Sequence, residues 1–146
     1  MHSEPLVGTW SLESANAKGS KGDEGLLYGE APQGLLIYTP GGHMAVVLMA
    51  IGRPKFSTGS PRSGTPAELK QGFEQFDAYA GTYTHVPEHG VVTHHVSASR
   101  FPNWEGTDQI RFVSINEDQL TLTTPPITGV DQEWVLRLTW RRVSAR

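Results

Sequence analysis

The chain has 146 residues, a formal net charge of −3 with the histidines neutral, and no cysteine. This length predicts a single domain, residues 1–146, with one core. Lysine and arginine are scattered, which argues against a nucleic-acid binder, and the lack of cysteine excludes disulfides and cysteine catalysis. No apolar run is long enough for a membrane helix, and no signal peptide is recognisable at the start. We therefore expect a cytoplasmic protein that does not enter a membrane.

Alternation of apolar and polar residues predicts eight short strands along the chain. They cover residues 7–16, 35–39, 43–51, 79–86, 91–99, 108–115, 119–124 and 132–143, with a short extra strand at 26–28. Even strand spacing favours a closed antiparallel barrel over an open sheet, because closure removes unpaired edges. A barrel of eight strands encloses room for about one small ligand.

One helix is predicted among these strands, starting at Thr65-Pro66-Ala67-Glu68. This segment has the pattern of a capping box with proline at the first helical position. Three apolar residues then follow at helical spacing, namely Leu69, Phe73 and Phe76. We expect a helix over about residues 66–78. Because the strand at 43–51 is apolar on both faces, we expect the helix to cover its outer face, and also to cap and gate one barrel mouth.

The hairpin formed by residues 35–39 and 43–51 turns at Pro40-Gly41-Gly42. The two glycines suit a two-residue turn. Such a turn predicts Tyr38 opposite Ala45 and Leu36 opposite Val47.

The hairpin at residues 79–99 carries most of the candidate chemistry, with a turn at Pro87-Glu88-His89-Gly90. If Val86 lies opposite Val91, Tyr83 faces His94. One face then mixes aromatic, aliphatic and imidazole side chains: Tyr79, Gly81, Tyr83, His85, Val92, His94, Val96 and Ala98. Such a mixture is expected of a ligand cavity, so we predict that this face lies inside and that His95 lies outside.

A metal site is not predicted, although four histidines invite one: His43, His85, His94 and His95. His94 and His95 are adjacent on a strand and point to opposite faces, so they cannot share an ion. No carboxylate completes a ligand set with His85 and His94. We predict no cofactor, while a haem held by one histidine is left open.

Several motifs together resemble the family of small bacterial and fungal lipocalin-like domains over nearly the whole chain. They are Leu6-Val-Gly8-Thr-Trp10, Gly34-Leu-Leu-Ile-Tyr38-Thr-Pro-Gly-Gly-His43-Met44, Tyr79-Ala-Gly81-Thr-Tyr83, Val92-Thr-His94-His95-Val96, Pro102-Asn-Trp104-Glu-Gly106, Arg111 and Leu138-Thr-Trp140-Arg141-Arg142. The resemblance implies an eight-stranded calycin-type barrel in which Trp10 closes one end beneath Arg141 or Arg142. It leaves the chemistry open, because such domains include both binders and cyclases or isomerases.

The first functional hypothesis is a module that binds a small, largely apolar ligand bearing a carbonyl or acidic group. The candidate ligand-binding residues are Tyr38, His43, Val47, Met49, Tyr79, His85, Trp104, Trp134 and Leu136. For Trp104 we favour a plug of the barrel end over a stacking surface for the ligand. The only partner predicted is this small molecule, and a homodimer is left open.

The second hypothesis is a cofactor-free cyclase or isomerase of a biosynthetic pathway, with Tyr83, His94 and Arg111 as catalytic residues. Imidazole beside a phenol can exchange protons, and a guanidinium can hold an enolate or carboxylate. Alternatively, Tyr83 and His94 are satisfied core residues and Arg111 points outward. Sequence parity does not decide, since either face of the strand at 108–115 is apolar enough to line the interior.

Overall fold

The structure is a computed structural model that describes residues 4–144. Within that range, ten strands and one helix follow in this order: β1 (Gly8–Gly19), β2 (Glu24–Leu26), β3 (Gln33–Tyr38), β4 (His43–Met49), α1 (Pro66–Glu74), β5 (Phe76–Val86), β6 (Val91–Ser99), β7 (Asp108–Asn116), β8 (Gln119–Thr123), β9 (Ile127–Thr128) and β10 (Glu133–Arg142). Short 3₁₀ turns lie at Pro87–His89 and Pro102–Trp104. No helix in residues 4–144 has the length and apolar character needed to cross a bilayer.

The sheet closes into a barrel because β1 pairs with β3 along one edge and with β10 along the other. The strand order is β2-β1-β3-β4-β5-β6-β7-β8-β10-β9, and β1 also pairs with β10. Eight strands therefore form the closed wall, while β2 and β9 extend one rim. The predicted closed antiparallel barrel with one helix is confirmed.

Trp10 and Arg142 seal one end of the barrel. The Trp10 side chain is fully buried, and its Nε1 donates to the Leu6 carbonyl at 3.0 Å. The guanidinium carbon of Arg142 lies 4.2 Å from the centroid of the Trp10 ring. Arg141 instead points outward, where its Nε lies 3.1 Å from Glu13. The arginine implied by the resemblance is therefore Arg142.

The register of the hairpin formed by β3 and β4 differs from the prediction by one residue. Tyr38 pairs with Met44, and Leu36 pairs with Val46, because residues 39–42 form a longer turn than the expected two-residue one. Consequently Val46 points inward and is only 6% exposed, whereas Val47 points outward and is 42% exposed.

The register of the hairpin formed by β5 and β6 is as predicted. Val86 pairs with Val91 and Tyr83 with His94. The pairing slips between Ala80 and Gly81, and this bulge leaves the predicted inward residue Ala98 exposed. A glycine is required at the bulge, since a Cβ on Gly81 would lie 1.9 Å from the His95 carbonyl oxygen.

Helix α1 begins where predicted and ends earlier. Thr65 Oγ1 accepts from the Glu68 backbone N–H at 3.1 Å, and Glu68 Oε1 accepts from the Thr65 N–H at 2.9 Å, which completes the capping box. The helix stops at Glu74 instead of residue 78, and Phe76 opens β5. Strand pairing with β4 replaces the expected last turn, since Phe76 pairs with Met49.

The apolar stripe of α1 is not buried as expected. Leu69 is 52% exposed and Phe73 is 46% exposed. Arg100 holds this helix end, since its Nη1 donates to the Phe73 carbonyl and its guanidinium carbon lies 4.1 Å from the Phe73 ring centroid. The helix follows β4 and precedes β5 at the rim opposite Trp10, and the outer face of β4 around Val47 stays exposed.

Candidate functional site: a cavity inside the barrel

A cavity of about 100 Å³ lies inside the barrel. Its apolar wall consists of aliphatic side chains from four strands: Leu36, Val46, Leu48, Leu122, Leu136 and Leu138. Trp140 and Trp104 add aromatic surface. For comparison, an apolar cavity of about 150 Å³ accommodates benzene, so this cavity is smaller than one that holds a single ring.

Polar side chains also reach this cavity: Tyr28, Asp77, Tyr79, His94, Arg111 and Thr124. Thr124 is satisfied by the backbone, since its Oγ1 accepts from the Leu136 N–H at 2.9 Å. The chemistry of the cavity therefore depends on the other five.

His94 lies between two tyrosine hydroxyls and is 1% exposed. Its Nε2 is 2.6 Å from the Tyr38 hydroxyl, and its Nδ1 is 2.7 Å from the Tyr79 hydroxyl. Burial, followed by the charge of Arg111, lowers the pKa of His94 from 6.5 to about 3. Burial also raises the pKa of both Tyr38 and Tyr79. All three groups are therefore neutral at physiological pH.

Tyr83 is not a partner of His94, although the two residues pair across the strands. Its hydroxyl donates to the Thr39 carbonyl at 2.8 Å, in the turn between β3 and β4. Its ring packs edge-on against Tyr38 with the centroids 4.8 Å apart. The predicted contact between Tyr83 and His94 is therefore replaced by contacts of His94 with Tyr38 and Tyr79.

Arg111 points into the barrel and is 8% exposed, so the face of β7 that carries Arg111 is the inner one. Ile110 and Phe112, its neighbours in sequence, are 43% and 48% exposed on the outside. The Arg111 guanidinium carbon lies 5.6 Å from the centroid of the Trp104 ring, and Nη1 donates to the Ile110 carbonyl at 2.8 Å. The cavity thus contains a fixed positive charge beside an aromatic face.

Asp77 and Tyr28 are cavity residues that sequence reasoning missed. Burial raises the pKa of the Asp77 carboxyl, although Arg100, whose Nε is 3.4 Å from Asp77 Oδ1, opposes this effect. Burial raises the pKa of Tyr28 to about 12. The predicted helix includes Asp77, whereas in the structure Asp77 and Tyr79 are two residues apart on β5 and so share a face. This spacing was the sequence pattern that could have placed Asp77 inside the barrel. Tyr28 lies in a loop and has a φ of +62°, a position that no pattern in the sequence indicates.

Three candidate ligand-binding residues lie in the cavity wall, namely Tyr79, Trp104 and Leu136. Trp104 contacts Tyr79 edge-on, with ring centroids 5.6 Å apart. Tyr38 is buried behind His94 and is not part of the wall. In the cavity, Tyr79 therefore contacts His94 and Trp104 lies beside Arg111.

The other candidate ligand-binding residues lie away from the cavity. His43 is exposed at the start of β4, and His85 contacts the Glu4 carboxylate near the end sealed by Trp10. Val47 and Met49 lie on the outer wall, as a result of the register of β3 and β4. Trp134 lies against Gly129 at the rim, where a Cβ on that glycine would be 2.6 Å from the indole. These placements correct the expected lining.

His95 lies on the outer surface, as the register predicts. Its Nε2 is 2.8 Å from Thr84 Oγ1, and its Nδ1 is 2.8 Å from Asp108 Oδ1. The two adjacent histidines therefore occupy opposite faces of the wall.

Comparison with known proteins identifies the family. Residues 7–143 match the family described as lipocalin-like domain. The 4'-hydroxy-3'-methoxypropiophenone carrier protein ppsC of Aspergillus oryzae (strain ATCC 42149 / RIB 40) is 36% identical over 110 residues, which span 68% of this chain and 96% of that protein. A crystal structure of a point mutant of the fluorescent protein UnaG aligns with a TM-score of 0.41 and 17% identity over 96% of this chain and 97% of that one. The chain belongs to the lipocalin-like domain family.

Proposed function

We propose that the protein binds a small, largely apolar ligand with a carbonyl or acidic group inside the barrel. The observation that carries this proposal is the polar side of an otherwise aliphatic cavity, where Tyr79 and Arg111 lie beside Trp104. A guanidinium and a phenol can both donate to a carbonyl or carboxylate oxygen, while the aliphatic wall receives the rest of the molecule.

The name of the Aspergillus relative supports the same class of ligand. It describes a carrier of 4'-hydroxy-3'-methoxypropiophenone, which is a single aromatic ring bearing an ethyl ketone, a hydroxyl and a methoxy group. A ketone suits the donors of Arg111 and Tyr79, and because the whole molecule is larger than benzene, the cavity must widen to admit it. We therefore take an aryl ketone of this kind as the first ligand to test.

A cofactor-free isomerase or cyclase is the second candidate, with Tyr79 in the place that we expected for Tyr83. Tyr79, His94 and Arg111 share one side of the cavity, as such chemistry would need. Because burial and Arg111 lower the pKa of His94 to about 3, the imidazole is a weak base. Binding without reaction is therefore the function that this site supports better.

The test is titration calorimetry of the protein with 4'-hydroxy-3'-methoxypropiophenone, with tryptophan fluorescence as a second readout. Arg111→Gln removes the buried charge, and we expect its affinity to fall about tenfold or more. Arg141→Gln is the matched control, since Arg141 lies outside beside Glu13. Trp104→Leu should also weaken binding, because Trp104 forms part of the cavity wall, a role different from the plug that we favoured from the sequence.

Two outcomes would overturn the binding proposal. The first is an unmodified protein that neither binds this ketone nor retains a small molecule in native mass spectrometry. The second is equal affinity in the Arg111→Gln and Arg141→Gln variants. Conversion of the ketone to a product with a new chromatographic retention time would favour the second candidate.

A further inference from the structure

The direction of the hydrogen bonds around His94 determines what the cavity offers to a ligand. A neutral imidazole has one N–H donor and one acceptor nitrogen. Both ring nitrogens of His94 contact a tyrosine hydroxyl, Nε2 with Tyr38 and Nδ1 with Tyr79. One tyrosine must therefore donate to His94 while the other accepts from it.

Of the two tyrosines, Tyr38 is the one whose hydroxyl proton has no acceptor other than His94 in the described part of the chain. It is 1% exposed, and within residues 4–144 its hydroxyl has no hydrogen-bond partner other than His94 Nε2. If Tyr38 accepted from Nε2, its own proton would be a buried donor without an acceptor, which is unfavourable. Tyr38 therefore donates to Nε2, and the imidazole proton lies on Nδ1.

The consequence falls on Tyr79, which lines the cavity. Because Nδ1 carries the proton, it donates to the Tyr79 oxygen. The positive charge of Arg111 acts on the same oxygen, since it lowers the pKa of Tyr79 against the larger effect of burial. The Tyr79 oxygen is thus the acceptor within the protein, and its own proton is available to a molecule in the cavity.

We propose that Tyr38 is a positioning residue that fixes the Nδ1–H tautomer of His94 and thereby makes Tyr79 a hydrogen-bond donor to the ligand. This inference rests on the proposed function and narrows it. With Tyr79 and Arg111 both donating, the site selects ligands that place an acceptor, such as a ketone oxygen, on this side of the cavity. A molecule with a methylene group at that position leaves both donors without an acceptor.

The first experiment reads the tautomer directly in the unliganded protein. Long-range ¹H–¹⁵N correlation spectra distinguish a protonated from an unprotonated ring nitrogen, and the His94→Gln variant assigns the signals. We expect the proton on Nδ1. A proton on Nε2 would overturn the inference, because Tyr79 would then donate to His94 and could only accept from a ligand. This result does not depend on whether any ligand binds.

The second experiment compares two ligands that differ only at the acceptor. They are 4'-hydroxy-3'-methoxypropiophenone and 2-methoxy-4-propylphenol, in which a methylene group replaces the carbonyl. We expect the unmodified protein to prefer the ketone, and Tyr79→Phe to reduce this preference by roughly twofold to tenfold. Tyr38→Phe should reduce it as well and should allow His94 to populate the Nε2–H tautomer, although Tyr38 is not part of the cavity wall.

Tyr83→Phe is the matched control, because it also removes a hydroxyl near Tyr38 but not one bonded to His94. Its ketone preference and its tautomer should equal those of the unmodified protein. An unchanged preference in Tyr79→Phe, or a Tyr38→Phe variant with unchanged preference and tautomer, would overturn the inference. If the unmodified protein binds neither ligand, the proposed function fails, while the tautomer still decides the direction of the hydrogen bonds.

Discussion

Arg142 lies over Trp10, with 4.2 Å between its guanidinium carbon and the centroid of the indole ring. The same guanidinium donates to the carbonyls of Val7 and Pro5, at 2.9 and 2.8 Å. One side chain on β10 therefore covers the buried indole and binds the segment that precedes β1. These contacts seal the barrel at the end away from α1.

Loss of this seal should lower stability without affecting the ligand. We expect Arg142→Gln to reduce the free energy of unfolding by about 2 kcal/mol, because a cation–π contact and two charge-assisted hydrogen bonds are lost together. Urea denaturation measures the loss. Arg141→Gln should stay within about 0.5 kcal/mol of the unmodified protein, since Arg141 is exposed. Similar losses in the two variants would contradict the assignment of Arg142.

The buried imidazole of His94 should make the protein less stable in mild acid. Burial lowers the pKa of His94 from 6.5 to about 3, so below pH 6.5 the unfolded chain takes up a proton that the folded chain excludes. Stability from this group is therefore present above the unfolded pKa and is lost as pH falls toward the folded one. The expected loss between pH 7 and 5 is about 2 kcal/mol.

Urea denaturation across this pH range tests the expectation. His94→Gln should flatten the dependence, whereas His95→Gln should not, because His95 lies on the outer wall. The attribution to His94 fails if both variants keep the slope of the unmodified protein.

Neighbouring valines on β4 test the register of this strand. Val46 is buried at 6% exposure and lines the cavity, so Val46→Thr places a hydroxyl in an apolar wall and should cost about 1–3 kcal/mol. Val47 is 42% exposed, so Val47→Thr should change stability by no more than about 0.5 kcal/mol. Thermal unfolding of the two variants compares them. A larger loss for Val47→Thr would restore the register that pairs Leu36 with Val47.

Helix α1 should open more readily than the strands around it. Its two large apolar residues, Leu69 and Phe73, are half exposed, so few buried contacts hold it closed. We expect faster amide hydrogen exchange over Pro66–Glu74 than over β5, and slower exchange in this helix once a ligand occupies the cavity. Equal protection of helix and strand, unchanged by the ligand, would argue against a role for α1 in gating.

The two hairpins show which part of the fold the sequence could predict. In β5 and β6, aromatic and aliphatic residues alternate with threonine and serine, so a slip of one residue would bury the polar set and is excluded. In β3 and β4 both faces are apolar, so a slip leaves the pattern unchanged. The length of the turn between β3 and β4 then determines the register, and the sequence is compatible with more than one turn length.

Local patterns could identify His94 as an inward residue but not its partners. Cross-strand pairing on neighbouring strands suggested Tyr83, whereas Tyr38 reaches His94 from β3, with β4 and β5 lying between β3 and β6 in the sheet. Contacts across the interior of a closed barrel depend on its curvature, which no short pattern encodes. Cytoplasmic location stays a prediction, and a homodimer stays open.

Pairing of β1 with β10 also determines when the chain can finish folding. During synthesis β1 leaves the ribosome early and β10 late, so for most of that time β1 has only β2 and β3 as neighbours. Until residue 142 has been made, the curved sheet has two open edges and its apolar inner face is accessible to other chains. The barrel therefore closes only once β10 is present to pair with β1 and cover these edges.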